Sequence, residues 1–404
     1  MPQDSNVASS ALETAQLPVH MTMNASSFLS RRQVLGGAVG LCAFGLAPLV
    51  HAQSQDPIVL VQTAALTGPL GDLGQEFSKG ARAYFDALNA RGGIGGRNVK
   101  LVVHDDAYDP KKTVEIAQGV IASNNAFAFF GTFGTPNNEA LIPLAQAAGM
   151  PVLMPYTGAN SVRSKNFSGI FNLRASYADE AERSVEHLAT VGIVRIAVLH
   201  QNNAFGKEFL AAAMTAMEKR GLKPVLVASV ENDASDVAAA ADKAATSSAE
   251  AVLLGLAGKP AIETIKGISQ RRRGLTMYGL SVLGTAANIK ALGSAGTGVA
   301  ITQVMPFPSN ASLPLVREYQ QAMTAAGVSE YSHQSLEGFA NAKLVAEGLR
   351  RAGKTITRSS FVAALDEMRG YNLGGITASF GQGGVSASKF VELTLIGTQG
   401  RLIK

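Results

Sequence analysis

At 404 residues, 47% of them hydrophobic and 16% charged, the chain is a globular protein long enough for two domains with proper cores. Its net charge of +5 is spread out, and the one basic run, Arg271-Arg272-Arg273 at the end of a helical pattern, reads as a solvated last turn rather than a nucleic-acid face. The single cysteine, Cys42, leaves no thiolate metal site and no disulfide, so stability must come from burial.

Ser30-Arg31-Arg32-Gln33-Val34-Leu35 leads into an apolar stretch, 34–50, that ends in Val50-His51-Ala52. Paired arginines ahead of a glycine-interrupted apolar segment are the parts of a twin-arginine export signal, with cleavage expected near Ala52. The competing reading, a transmembrane anchor, needs about 20 apolar residues. This segment is shorter and holds Gly36, Gly37, Gly40, Gly45 and Pro48. Leu41 ahead of Cys42 argues against a lipid anchor. Residues 1–29 are polar, and Met21 and Met23 are alternative starts. The mature chain is expected to be periplasmic and, with no second long apolar stretch, not membrane-spanning.

Beyond the signal, β-branched apolar runs alternate with helix-length stretches: 58–65, 99–104, 126–131, 151–154, then 194–200, 224–230, 251–256 and 275–280. Strands apolar on both faces and separated by helices call for right-handed βαβ units around parallel sheets. The rhythm breaks at Phe171-Asn172-Leu173-Arg174 and restarts, which predicts an α/β protein of two similar, doubly wound lobes. A strand-like 299–304 is followed by helical patterns at 313–325, 333–351 and 359–368, then by short strands at 376–380 and 390–396. Crossings near 174, 304 and 376 divide the chain into an N-terminal extension and signal (1–52), a first lobe (53–174 with 304–376) and a second (175–303 with 377–404).

Enzyme signatures fail on context. Gly93-Ile94-Gly95-Gly96 follows a helix and leads into a strand, the reverse of a phosphate-binding turn. Gly279-Leu280-Ser281-Val282-Leu283-Gly284 places its second glycine one residue late for a nucleophile elbow. His104, His187, His200 and His333 are scattered. No Walker loop, zinc helix or calcium loop is present, so no metal or cofactor is expected.

Three early segments, Leu66-Thr67-Gly68-Pro69-Leu70-Gly71-Asp72-Leu73-Gly74, Asn89-Ala90-Arg91-Gly92-Gly93-Ile94-Gly95-Gly96 and Asp105-Asp106-Ala107-Tyr108-Asp109-Pro110, resemble the leucine/isoleucine/valine-binding proteins of bacterial ABC transporters. The likeness continues through Gly131-Thr132-Phe133-Gly134-Thr135, Pro155-Tyr156-Thr157-Gly158-Ala159 and His200-Gln201-Asn202-Asn203-Ala204-Phe205-Gly206. It implies a type I periplasmic binding protein: two α/β lobes, three crossovers, a ligand clamped between the lobes and handed to an inner-membrane ABC permease. A sensor for a regulatory partner and a two-domain enzyme are the alternatives.

The resemblance also carries site expectations. Thr135, beside Pro136 at the start of a helix, matches a hydroxyl residue that holds the ligand carboxylate; it can also simply cap that helix. Tyr156 and Thr157 lie in the next loop expected at the crevice. Phe205 and Leu73 are candidate walls, with ordinary core packing as the other reading, and Tyr177, just beyond the first crossing, is a candidate wall or hinge residue. Ser281 stands where the family's amino-acid binders carry a glutamate for the ligand ammonium. Either another acid such as Glu76 or Glu180 serves, or the ligand is an aromatic or aliphatic organic acid instead of a branched-chain amino acid.

Overall fold

The computed structural model describes residues 56–163, 169–381 and 386–404; the stretch expected to be an export signal, with Cys42, lies outside them. The first half runs β1 (Ile58–Ala64), α1 (Gly71–Ala90), β2 (Val99–Asp105), α2 (Pro110–Ser123), β3 (Ala128–Phe130), α3 (Thr135–Ala147), β4 (Val152–Leu153) and β5 (Ile170–Phe171). These strands form one parallel sheet in the order β2-β1-β3-β4-β5. The chain then crosses into α4 (Tyr177–Thr190), β6 (Ile196–Gln201), α5 (Ala204–Glu218), β7 (Leu226–Val230), α6 (Val237–Thr246), β8 (Ala251–Gly255), α7 (Gly258–Arg271), β9 (Thr276–Gly279), α8 (Ala286–Leu292) and β10 (Ala300–Gln303). Their sheet, β7-β6-β8-β9-β10, repeats the first order strand for strand and is also parallel.

The chain then returns to the first sheet for α9 (Pro314–Ala325), α10 (His333–Arg351) and α11 (Arg358–Asp366), with the small hairpin β11 (Tyr371–Asn372) and β12 (Thr377–Ala378). A third crossing runs past Ala387 and Ser388, whose N–H groups donate to the carbonyls of Asn172 and Leu173 in the first. It ends in β13 (Glu392–Ile396) and β14 (Leu402–Ile403), added antiparallel beyond β10.

Residue type explains the placement. The central strands β6 and β8 are buried along their whole length, as strands covered on both faces must be, whereas the edge strand β7 alternates between covered and open positions. Helix starts carry their own caps: Asp109 accepts from Lys111 N, and Ser176 with Asp179 and Ser332 with Ser335 form capping boxes on α4 and α10. The strands β5, β11 and β14 span two residues each, too short to show a hydrophobic period in the sequence.

The first lobe's core is aromatic: Tyr84 packs edge-on to Phe339 at 5.1 Å and Phe85 to Phe130 at 5.7 Å. It depends on α1 and α10 crossing with backbones in contact. A Cβ on Gly80 would lie 1.7 Å from Ser335 O, and one on Gly338 would lie 2.0 Å from Phe77 O. Gly338→Ala should therefore destabilise the protein by about 1–3 kcal/mol through overpacking, seen as a lower urea midpoint with unchanged slope.

Candidate functional site

In a parallel sheet of this order the crevice lies outside the carboxyl ends of the strands, where the order reverses between the first strand and the third. Both sheets have such a point, and the two face each other. One cavity of about 340 Å³ opens between them, near the lower end of the roughly 300–1,000 Å³ usual for small-molecule sites. The first lobe lines it with Thr67, Pro69 and Leu70 after β1, Ala107, Tyr108 and Pro110 after β2, and Pro136 on α3. The second contributes Gln201 at the end of β6 and Asn203 after it, Asn232 after β7, and 257–260 after β8. At the mouth the first turn of α7 rests on the turn at Gly68–Leu70, and Asn160 N donates to Glu208 of α5 at 3.0 Å, so the lobes are closed on each other.

The Asp105–Pro110 motif builds one wall. Asp105 accepts from Leu66 N, Thr67 Oγ1 and Ala107 N, and Asp106 accepts from Tyr108 N, Thr113 Oγ1 and Asn137 Nδ2. These bonds hold Ala107 and Tyr108 at φ of 49° and 63°, a strained conformation for such residues, and turn Tyr108 to the cavity. Burial pushes the Asp106 carboxyl and the Tyr108 phenol above their ordinary values; the bonds to Asp106 offset part of its shift.

The next loop is rigid for a similar reason. Asn138 Nδ2 donates to the carbonyls of Thr132 and Gly134, and its Oδ1 accepts from Thr132 Oγ1. Gly134, not Thr135, occupies the N-cap of α3. Thr135 is thereby spared for another partner: its Oγ1 lies 2.7 Å from Thr157 Oγ1, which accepts from Ala159 N. Arg163, wholly buried, pins the loop of Thr157 by donating to the carbonyls of Thr157, Ala159 and Arg174. Burial lowers its pKa to about 10. From the second lobe Tyr177 brings its hydroxyl within 3.5 Å of Thr157 Oγ1, and its ring meets Phe205 edge-on at 5.3 Å. Thr135, Thr157, Tyr177 and Phe205 thus form one buried group where α3 meets the second lobe.

The other candidates lie elsewhere. Leu73 is packed in the first lobe's core. Tyr156 stacks on Phe77 at 4.9 Å, with the Arg174 guanidinium 5.1 Å from its ring centre. Ser281 is tied into a buried cluster around Arg174. Arg174 donates to Ser281 Oγ at 2.6 Å and pairs with Glu180 at 3.4 Å and with Glu337 of α10 at 3.5 Å. Glu180 also accepts from Ser281 N, Ser281 Oγ and Thr302 Oγ1, while Gln334 of α10 donates to Ser281 O. Glu180 is therefore fully engaged, and Glu76 is paired with Lys79 and Ser332. Of the eight expected site residues, Pro136 lines the open cavity. Tyr108, Gln201, Asn203, Asn232 and Lys259, not among the expected site residues, line it as well; the signal available was their position at or shortly after a strand's carboxyl end.

Comparison with known proteins agrees with this architecture. The profile of a family described as periplasmic binding protein matches residues 57–390. The chain is similar to an amino acid binding protein of Pseudomonas aeruginosa, 25% identical over 78% of this chain and 85% of that one. It is also similar to Leu/Ile/Val-binding protein homolog 3 of Brucella melitensis, 23% identical over 83% and 89%. Among solved structures, a substrate-binding periplasmic protein from Ralstonia solanacearum superposes with a TM-score of 0.79 at 32% identity, over 86% of this chain and 99% of that one.

The buried cluster carries a pH signature. Burial alone would depress Arg174, but Glu337 and Glu180 outweigh it and hold the guanidinium above its ordinary range. Among the described residues Glu337 Oε1 has no hydrogen-bond partner; burial pushes its carboxyl up to about 7, and Arg174 offsets only part of that. A carboxyl whose pKa is raised by folding contributes stability below its unfolded value that is lost as pH rises through the folded one. Glu337→Gln, which does not titrate, should therefore gain melting temperature relative to the parent as pH rises from about 4.5 to 7.5. A constant difference between the two melting curves would contradict this.

Proposed function

The chain belongs to the periplasmic binding protein family, and from that premise we propose that it is the extracytoplasmic solute-binding component of an ABC importer. It captures a small carboxylate-bearing ligand by closing two lobes and presents the closed form to an inner-membrane permease. The observation that carries this reading is the facing pair of switch points across one cavity. A ligand touching both lobes binds the closed form better than the open one and shifts the equilibrium by that difference. The names of these relatives point to branched-chain amino acids as one ligand class; organic acids are the other. Export through the twin-arginine signal at Arg31-Arg32 belongs to the same proposal, as does action by capture rather than catalysis.

In this reading Thr135 and Thr157 exchange their mutual hydrogen bond for bonds to the ligand carboxylate, helped by the N–H groups that open α3. Tyr177 and Phe205 close over it from the second lobe. A charge-assisted hydrogen bond in a site closed to water contributes about 1.5–3 kcal/mol. Thr135→Ala should therefore weaken ligand binding by roughly ten- to a hundredfold, with the empty protein losing about 1–3 kcal/mol along with the buried bond to Thr157 but remaining folded. Calorimetric titration checks this; unchanged affinity would remove Thr135 from the site.

A further inference from the structure

The second lobe's side of the cavity is built to donate hydrogen bonds, and the orientation of its amides follows from bonding rules. Ala257 N approaches Gln201 Oε1 at 3.1 Å, and a backbone N–H only donates, so the Gln201 oxygen is fixed there and its Nε2 is a donor. Gly206 N fixes Asn203 Oδ1 in the same way at 3.0 Å. Both amide nitrogens then converge on Asn232, at 2.8 and 2.9 Å, so the atom they meet is its oxygen. Each of the three amide oxygens already accepts a bond, and Asn232 Oδ1 accepts two. Among the described residues Asn232 Nδ2 has no acceptor and keeps both hydrogens.

Lys259 adds a cation at the same mouth. Its Nζ gives one hydrogen to Asp233 O at 3.1 Å and, among the described residues, keeps two. The start of α7 adds more donor character, because its N-cap, Ala257, has no side chain to accept from the first turn. Among the described residues that line this cavity none is acidic. The acids of the neighbouring loop are engaged outside it: Glu231 accepts from Asn202 Nδ2, Asp233 from Ser235 N and Asp236 from Glu231 N. Opposite lie the apolar surfaces of Pro69, Leu70 and Pro136. An ammonium set against this wall would meet donors and a like charge, whereas a carbonyl or carboxylate would find its complement.

We propose that the cleft selects organic acids without an amino group, oxo acids or dicarboxylates, whose second acceptor group faces Asn232 and Lys259. This rests on the reading of the cleft as the ligand site and narrows it to one class. The test is calorimetric titration of the chain from Gln53, unfolded and refolded to strip bound ligand, with matched pairs: 4-methyl-2-oxopentanoate against L-leucine, phenylpyruvate against L-phenylalanine, and glutarate against L-glutamate. In at least one pair the acid without the amine should bind at least tenfold more tightly. Asn232→Asp keeps an oxygen for Gln201 and Asn203 but replaces the free donor with an anion; it should weaken that acid at least tenfold and narrow the gap to the amino acid. Lys259→Gln, at an exposed position, should weaken the same acid several-fold and serves if the first variant does not fold. Amino acids binding as tightly as their partners, or more so, would overturn this inference and leave the solute-binding reading intact. No binding by any member, with circular dichroism showing a folded protein, would overturn both.

Discussion

The arrangement of the two lobes depends on one buried guanidinium. Arg174 lies in the first crossing and is among the largest fully buried side chains. It faces Glu180 on α4, Ser281 after β9 and Glu337 on α10, three segments widely separated in sequence. Withdrawing such charges from water costs several kcal/mol per ion, recovered only when geometry and extra hydrogen bonds are good. Glu180, with three further donors, meets that condition; Glu337, with an oxygen lacking a hydrogen bond, meets it less well. Removing the cation would strand two carboxylates. The cluster therefore ties both lobes to the first crossing, with Ser281 in the second and Glu337 in the first, and in the proposed closure it is the pivot.

From that pivot the chemistry runs outward to the cleft. Arg174 stands over Tyr156, the neighbour of Thr157, and its carbonyl accepts from Arg163, which also holds the Thr157 loop. The loop with the buried hydroxyls is thus braced from behind by cations. In front of it, the Asp105 and Asp106 carboxylates are turned into the backbone to form the Tyr108 turn. The acids nearest the first-lobe wall are used in structure, and the polar groups left for a guest are mainly donors.

Much of this architecture was legible in the sequence because its signals are long or local. The runs at 194–200 and 251–256 anticipated β6 and β8 within about two residues, since a strand buried on both faces is apolar throughout. The helical pattern at 333–351 matches α10. The cap of α3 went to Gly134 instead of Thr135 because the turn there needs a positive φ, which Gly134 adopts at 90°. The cavity's donors were not legible in the same way. Asn232 and Lys259 follow different strands, and only the reversal of strand order in the second sheet brings them together. The role of Ser281 was equally hidden, because its partners Arg174 and Glu180 come from a crossing and a helix about a hundred residues earlier.

Capture of a ligand by closure of the lobes would shorten a distance across the mouth. The chain from Gln53 contains no cysteine, so Lys112→Cys on the first lobe and Lys207→Cys on the second, both exposed, can carry a donor and acceptor dye. Single-molecule energy transfer would be recorded on refolded protein, then with the oxo-acid and amino-acid series and with the small-molecule fraction of the cells. Two populations are expected, with the high-transfer one growing saturably as a component binds. A component that raises the melting temperature while the transfer distribution stays unchanged would contradict capture by closure.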